Sequence, residues 1–148
     1  MLSPLVYANT IIRRSLQTKV PVSPMKLQKL LYLLYARYYQ LYSVPLFANN
    51  FEKWTYGPVV SEVYSTFQKY GANPITDFSY DCNGKVNVVN EKHEKFLRCL
   101  NEVWSKYCGY SGWELSKLTH DEQAAWSKAD GQFLALDAIR DDGRRFFA

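Results

Sequence analysis

The stretch that decides the fold runs from Ser23 to Tyr42, SPMKLQKLLYLLYARYYQLY. Ser23 is a preferred helix N-cap and Pro24 suits the first helical position, so a helix is predicted from Pro24 through about Tyr42. Projected at ~100° per residue, Leu27, Leu30, Leu31, Leu34, Tyr38 and Leu41 share one stripe. Tyr32, Tyr35, Tyr39 and Tyr42 form a second stripe on its flank, and Lys29, Ala36, Arg37 and Gln40 fall on the outer side. A face this wide must be covered by several other elements.

Those elements are legible on both sides. Ser3-Pro4 repeats the start signal, and Leu5, Ala8, Ile12 and Leu16 recur at helical spacing, predicting a first helix to about Thr18. Val44-Pro45 ends the second helix, and LFANNFEKWTY reads as one or two short extended pieces with a turn at Asn49-Asn50. Gly57-Pro58 reads as the N-cap and first residue of a third helix reaching about Lys69, closed by Gly71. Asn83-Gly84 is a hairpin signal between candidate strands at Phe78–Tyr80 and Val86–Val89. Asn90 is placed as the cap of a helix through about Lys106. Ser111 and Glu114 form a capping box, Thr119 and Glu122 a second, and Asp137 caps a last helix ending near Phe146. The expected fold is α+β and predominantly α-helical. It has five to six helices around one core with a small antiparallel sheet, in a single domain over residues 1–148.

Composition narrows the function. Charged residues make up 22% and hydrophobic ones 47%, an ordinary globular balance; aromatics, at 16%, are in excess, and 12 of them are Tyr. Tyr suits surfaces that are half apolar and half wet, which keeps a binding face in play. The net charge of +4 is scattered, with no basic run longer than the pairs Arg13-Arg14 and Arg144-Arg145, so nucleic acid is not the expected partner. Three unpaired, widely spaced cysteines suit a reducing cytoplasm, and no apolar run is long enough to span a bilayer.

Catalytic and metal chemistry finds little support. Thr119-His120-Asp121 contains the residue types of a triad, but triads assemble from positions distant in sequence, and helix capping explains the segment better. The two histidines, His93 and His120, have no second ligand at a short metal-binding spacing, and the seven glycines form no phosphate-binding loop. No catalytic residue, metal or cofactor is expected. The tyrosine flank, Tyr32, Tyr35, Tyr39 and Tyr42, is the candidate protein-binding surface, with Arg37, Arg13 and Arg14 steering an acidic partner. A ligand pocket including Trp54, Tyr56 and His120 is the alternative from a different class.

Taken in order, KLQKLLYLLYARY, PLF, FEKWTYGPVVSEVYSTFQKYG and ELSKLTHDEQAAW closely resemble the Panacea, or SocA-like, antitoxin domain family, phage-associated proteins long called a domain of unknown function. The resemblance covers about Met25 to Phe147. It places the family landmarks at Lys26, Leu27, Lys29, Leu30, Trp54, Tyr56, Gly57, Pro58, Leu118, Thr119, His120 and Trp126, with Ala125 where members often carry proline. It implies a non-enzymatic cytoplasmic protein that neutralises a toxin encoded beside it, in some members by delivering the toxin to an ATP-dependent protease. A phage-encoded inhibitor of a host defence protein is the alternative it leaves.

Overall fold

The computed structural model describes all residues 1–148. It contains seven helices and one hairpin: α1 Pro4–Thr18, α2 Pro24–Tyr42, β1 Glu52–Trp54, β2 Gly57–Val59, α3 Ser61–Phe67, α4 Glu94–Tyr107, α5 Gly112–Thr119, α6 Ala125–Lys128 and α7 Leu136–Arg145. The predominantly helical α+β class is as the sequence predicts.

α2 is the central element, and α1, α3, α4, α5, α7 and β2 all pack on it. Residues 26 to 36 are buried without a break, so the helix has no outer side over three turns. Lys29 and Ala36, expected on that side, are inside. The physical reason is that a helix covered all round buries every position, whatever its polarity. Its two ends follow the sequence: the Ser23 hydroxyl accepts from Lys26 N, and Ser43 closes the helix in the left-handed region.

Five local expectations are corrected. Pro58 is in β2, opposite Lys53, and not in a helix; α3 begins at Ser61 behind Val60. Gly57, at φ +117°, cannot serve as a β-region N-cap, and proline's missing N–H suits a strand that has no further neighbour. Phe78–Tyr80 and Val86–Val89 form no sheet, although the turn is there, with Gly84 at positive φ. Side chains from α1 take the place of the ladder: Asn9 bonds Ser79 N, Ser79 O and Asn87 O, and Thr10 accepts from Val89 N. His93, half-buried against Tyr38 and Phe96, caps α4 in place of Asn90. Thr119 closes α5, donating to carbonyls one turn back, and starts no helix; the cap before α7 is Ala135, with Asp137 in its first turn.

Beside α2 the carboxylate of Asp142 is met by donors from three elements. The Tyr32 hydroxyl donates to Asp142 Oδ2 at 2.5 Å, Ala125 N donates to the same oxygen at 3.1 Å, and Arg145 Nη2 reaches Asp142 Oδ1 at 3.1 Å. Ala125 thus supplies an N–H that a proline there would lack. Asp142 is fully buried and ties α2, α6 and α7 together. Burial pushes its carboxyl up, and the three donors pull it back.

Candidate functional site

Lys29, Trp54, Tyr56, Gly57, Pro58, Thr119, His120 and Trp126, landmarks far apart in sequence, meet at the hairpin, while Leu27 and Leu30 lie in the core and the Lys26 amine donates to Cys108 O. Three consecutive hairpin carbonyls are each held by one side chain from the segment Ser116 to Trp126. Trp126 Nε1 donates to Trp54 O at 2.7 Å, the His120 ring lies 2.9 Å from Thr55 O through Nε2, and Ser116 Oγ donates to Tyr56 O at 2.7 Å. The His120 ring also packs on Trp126, at 3.9 Å between centroids, and its Nδ1 faces Ser116 O. From α2, Gln28 brackets Val60, accepting from its N–H at 3.0 Å and donating to its carbonyl at 3.2 Å. His120 therefore positions a turn. It is paired with carbonyl oxygens and faces no nucleophile.

Beneath this clamp is Lys29. Its side chain is 1% exposed, and its Nζ has one hydrogen-bond partner, Pro58 O at 3.2 Å. No carboxylate pairs with it. Burial pushes the amine down from its ordinary range to about 7. A Cβ on Gly57 would stand 2.5 Å from Lys29 Cε and 2.9 Å from Thr119 Oγ1, so glycine's bare Cα makes room for this side chain. Beside it opens a cleft of about 510 Å³ between α2 and the hairpin, walled by Met25, Gln28, Trp54, Tyr56, Val59 and Tyr64.

The hairpin tip is flanked by exposed aromatics. Tyr56 and Trp113 are 53% and 54% exposed with ring centroids 5.5 Å apart; Trp54 and Tyr64 pack at 4.7 Å, and Tyr64 is 40% exposed. A second, shallower cleft of about 270 Å³ follows from Thr55 and Tyr56 to Trp113, Lys117 and His120.

The tyrosine flank of α2 is placed differently from the expectation. Tyr32 and Tyr35 are core residues, their rings packed edge-on to Phe51, so they offer no surface. Tyr39 and Tyr42 are half-buried, beneath Arg140 and Lys95 respectively. Arg37 is engaged within the molecule, pairing both oxygens of Glu102 at 2.7 and 3.0 Å and lying over Phe147. Arg14 bonds Asn101, and Arg13 is half-buried beside it on α1. The seven residues form no continuous open face. Tyr64, Trp113, Gln28 and Ser116, which sequence reasoning did not single out as functional, belong to the hairpin site instead. No helix is long and apolar enough to cross a membrane, and no cluster of three His, Cys, Asp or Glu side chains is suited to hold a metal.

The hairpin, Lys29 and the segment from Ser116 to Trp126 all fall within residues 27–127. Residues 27–127 match the antitoxin SocA-like, Panacea domain family, and the chain belongs to it. Among curated proteins it is similar to antitoxin SocA of Caulobacter vibrioides (strain NA1000 / CB15N), 36% identical over 64 residues, which are 43% of this chain and 34% of the relative. The chain thus aligns with about a third of the length of the curated relative it matches. No solved structure matches it. Membership of an antitoxin family supports an antitoxin role and suggests that the protein is not an enzyme.

Proposed function

We propose that this protein binds a toxin, the product of a neighbouring gene, and neutralises it by direct contact through the hairpin face. The observation that supports this reading is the pairing of a rigid backbone with exposed aromatics. Tyr56 stands on a turn whose carbonyls at residues 54, 55 and 56 are all fixed from behind, and the exposed rings of Trp113 from α5 and Tyr64 from α3 pack beside it on Tyr56 and Trp54. Tyr and Trp on an ordered support contribute large contact area while losing little rotamer freedom, which is why binding hot spots are rich in them.

The test is co-expression with the adjacent gene. Growth rescue and co-purification are expected for the wild type, and loss of both for Tyr56→Ser combined with Trp113→Ser, each exposed enough to change without unfolding. Loss with Tyr39→Ala and retention with the hairpin variant would move the surface to the α2 flank. If neither rescue nor complex occurs with the wild type, the reading fails. Toxin half-life in the same cells separates the two modes. Masking leaves it unchanged or longer, whereas delivery to an ATP-dependent protease shortens it.

A further inference from the structure

Lys29 is the most deeply buried cation of the molecule, and no carboxylate meets it. An ammonium has three donors, and only one of these meets an acceptor, the carbonyl of Pro58. Burying a charge without a counter-charge is costly, and cores that keep one pair it. This fold does so elsewhere: Asp142 is met by a hydroxyl, a backbone N–H and a guanidinium. At Lys29 it does the opposite. The hairpin faces the side chain with Gly57 and the Pro58 carbonyl, and α5 faces it with Thr119. The adjoining cleft brings Lys53, Trp54, Tyr56 and Tyr64, with two lysines and no carboxylate along its whole lining. An apolar replacement would fill the same space without the electrostatic cost.

We propose that this cleft recognises a carboxylate, with Lys29 receiving an Asp or Glu side chain from an acidic segment of the protein partner while Trp54 and Tyr64 pack on the apolar residue beside it. The site deepens the antitoxin reading and rests on it for the source of the carboxylate. Gly57 is part of the site because a side chain there would press on Lys29. A carboxylate reaching the amine supplies the missing acceptors and the missing counter-charge together. The amine's downward shift, to about 7, makes recognition pH-dependent. Above that pH, binding must first take up a proton, so affinity falls as pH rises.

Two measurements test this, one without the toxin. With ¹³C-labelled lysine, the Lys29 Cε resonance is followed by NMR against pH, with and without millimolar N-acetyl-Leu-Glu-amide. The titration is expected to move to higher pH with this dipeptide and to stay put with its Gln analogue. In the second, calorimetry follows binding of the adjacent-gene toxin to wild type, Lys29→Met and Tyr64→Ser. Wild-type affinity is expected to fall on the order of tenfold from about pH 6.5 to about pH 8.5. Lys29→Met, which keeps the length and removes the charge, should bind at least about tenfold more weakly at the lower pH and show no such slope. Should Lys29→Met fold, bind and respond to pH like the wild type, the inference is overturned while the antitoxin reading stands. A dipeptide effect with an unaffected toxin complex is an adventitious carboxylate only, and overturns it equally. An unmoved Lys29 titration overturns it too. No complex with wild-type protein overturns the antitoxin reading itself, and with it the toxin as the carboxylate's source.

Discussion

Two buried charges lie against neighbouring turns of α2, and they are treated in opposite ways. Asp142 touches Tyr32 and is sealed, with three donors around it and Gly143 so close to the Ala36 carbonyl that a Cβ would overlap it. Lys29, one turn earlier, has a single carbonyl partner and an open cleft beside it. A charge answered on all sides by its own chain is architecture, holding α6 and α7 to the central helix. A charge left unanswered at a cleft is available to something else. On the proposed reading, the contrast separates the part of the molecule that holds the fold from the part offered to a partner.

The strongest way to break the comparison is at the sealed end. Asp142→Ala leaves Arg145, Tyr32 and the Ala125 N–H without their shared acceptor and is expected to cost about 3–5 kcal/mol in urea unfolding. A loss within the scatter of surface substitutions would show that the network is ornamental. Next is Gly57→Ala, expected to cost about 2–3 kcal/mol. The new Cβ adds steric conflict with Lys29 Cε to a φ of +117° that side chains resist.

The open end gives a pH signature. The unfolded Lys29 stays protonated to its ordinary value of 10.5, while the folded form releases its proton near 7. Between those values the unfolded chain binds more protons, so stability rises with pH, by at most ~1.4 kcal/mol per unit. Lys29→Met should lose this rise and be the more stable protein at low pH, as read from melting temperature across pH. Trp126→Phe removes the bond to Trp54 O and should cost about 1 kcal/mol, with faster amide exchange in the hairpin. Tyr39→Ala is expected to be the smallest change, below about 1 kcal/mol, since Tyr39 is only half-buried beneath Arg140.

The sequence made the frame legible and the site only in part. Ser23-Pro24, Ser3-Pro4 and the Ser111–Glu114 box marked helix starts because capping is a local matter, decided within four residues. The resemblance carried by KLQKLLY, WTYGPV and LTHDEQAAW named the residues that meet at the hairpin, but not how they meet. Gly57-Pro58 read as a helix start because the same dipeptide serves a hairpin when tertiary contacts hold φ positive. Lys29 was assigned outward because charge is normally a guide to exposure. A clue did exist: Leu33 falls on the same helical face as Lys26 and Lys29, and an apolar residue there signals cover on that side too. Asn9 and Thr10 standing in for a strand ladder leaves no periodic trace at all.

The claim that the hairpin face is where this antitoxin-family protein meets its toxin is tested most directly by hydrogen–deuterium exchange of the complex against the free protein. The account predicts new protection at the hairpin tip, residues 55 to 57, and at the start of α5, residues 112 to 114, with the end of α2 at residues 39 to 42 unchanged. Protection at the end of α2 with an unaltered hairpin would contradict it.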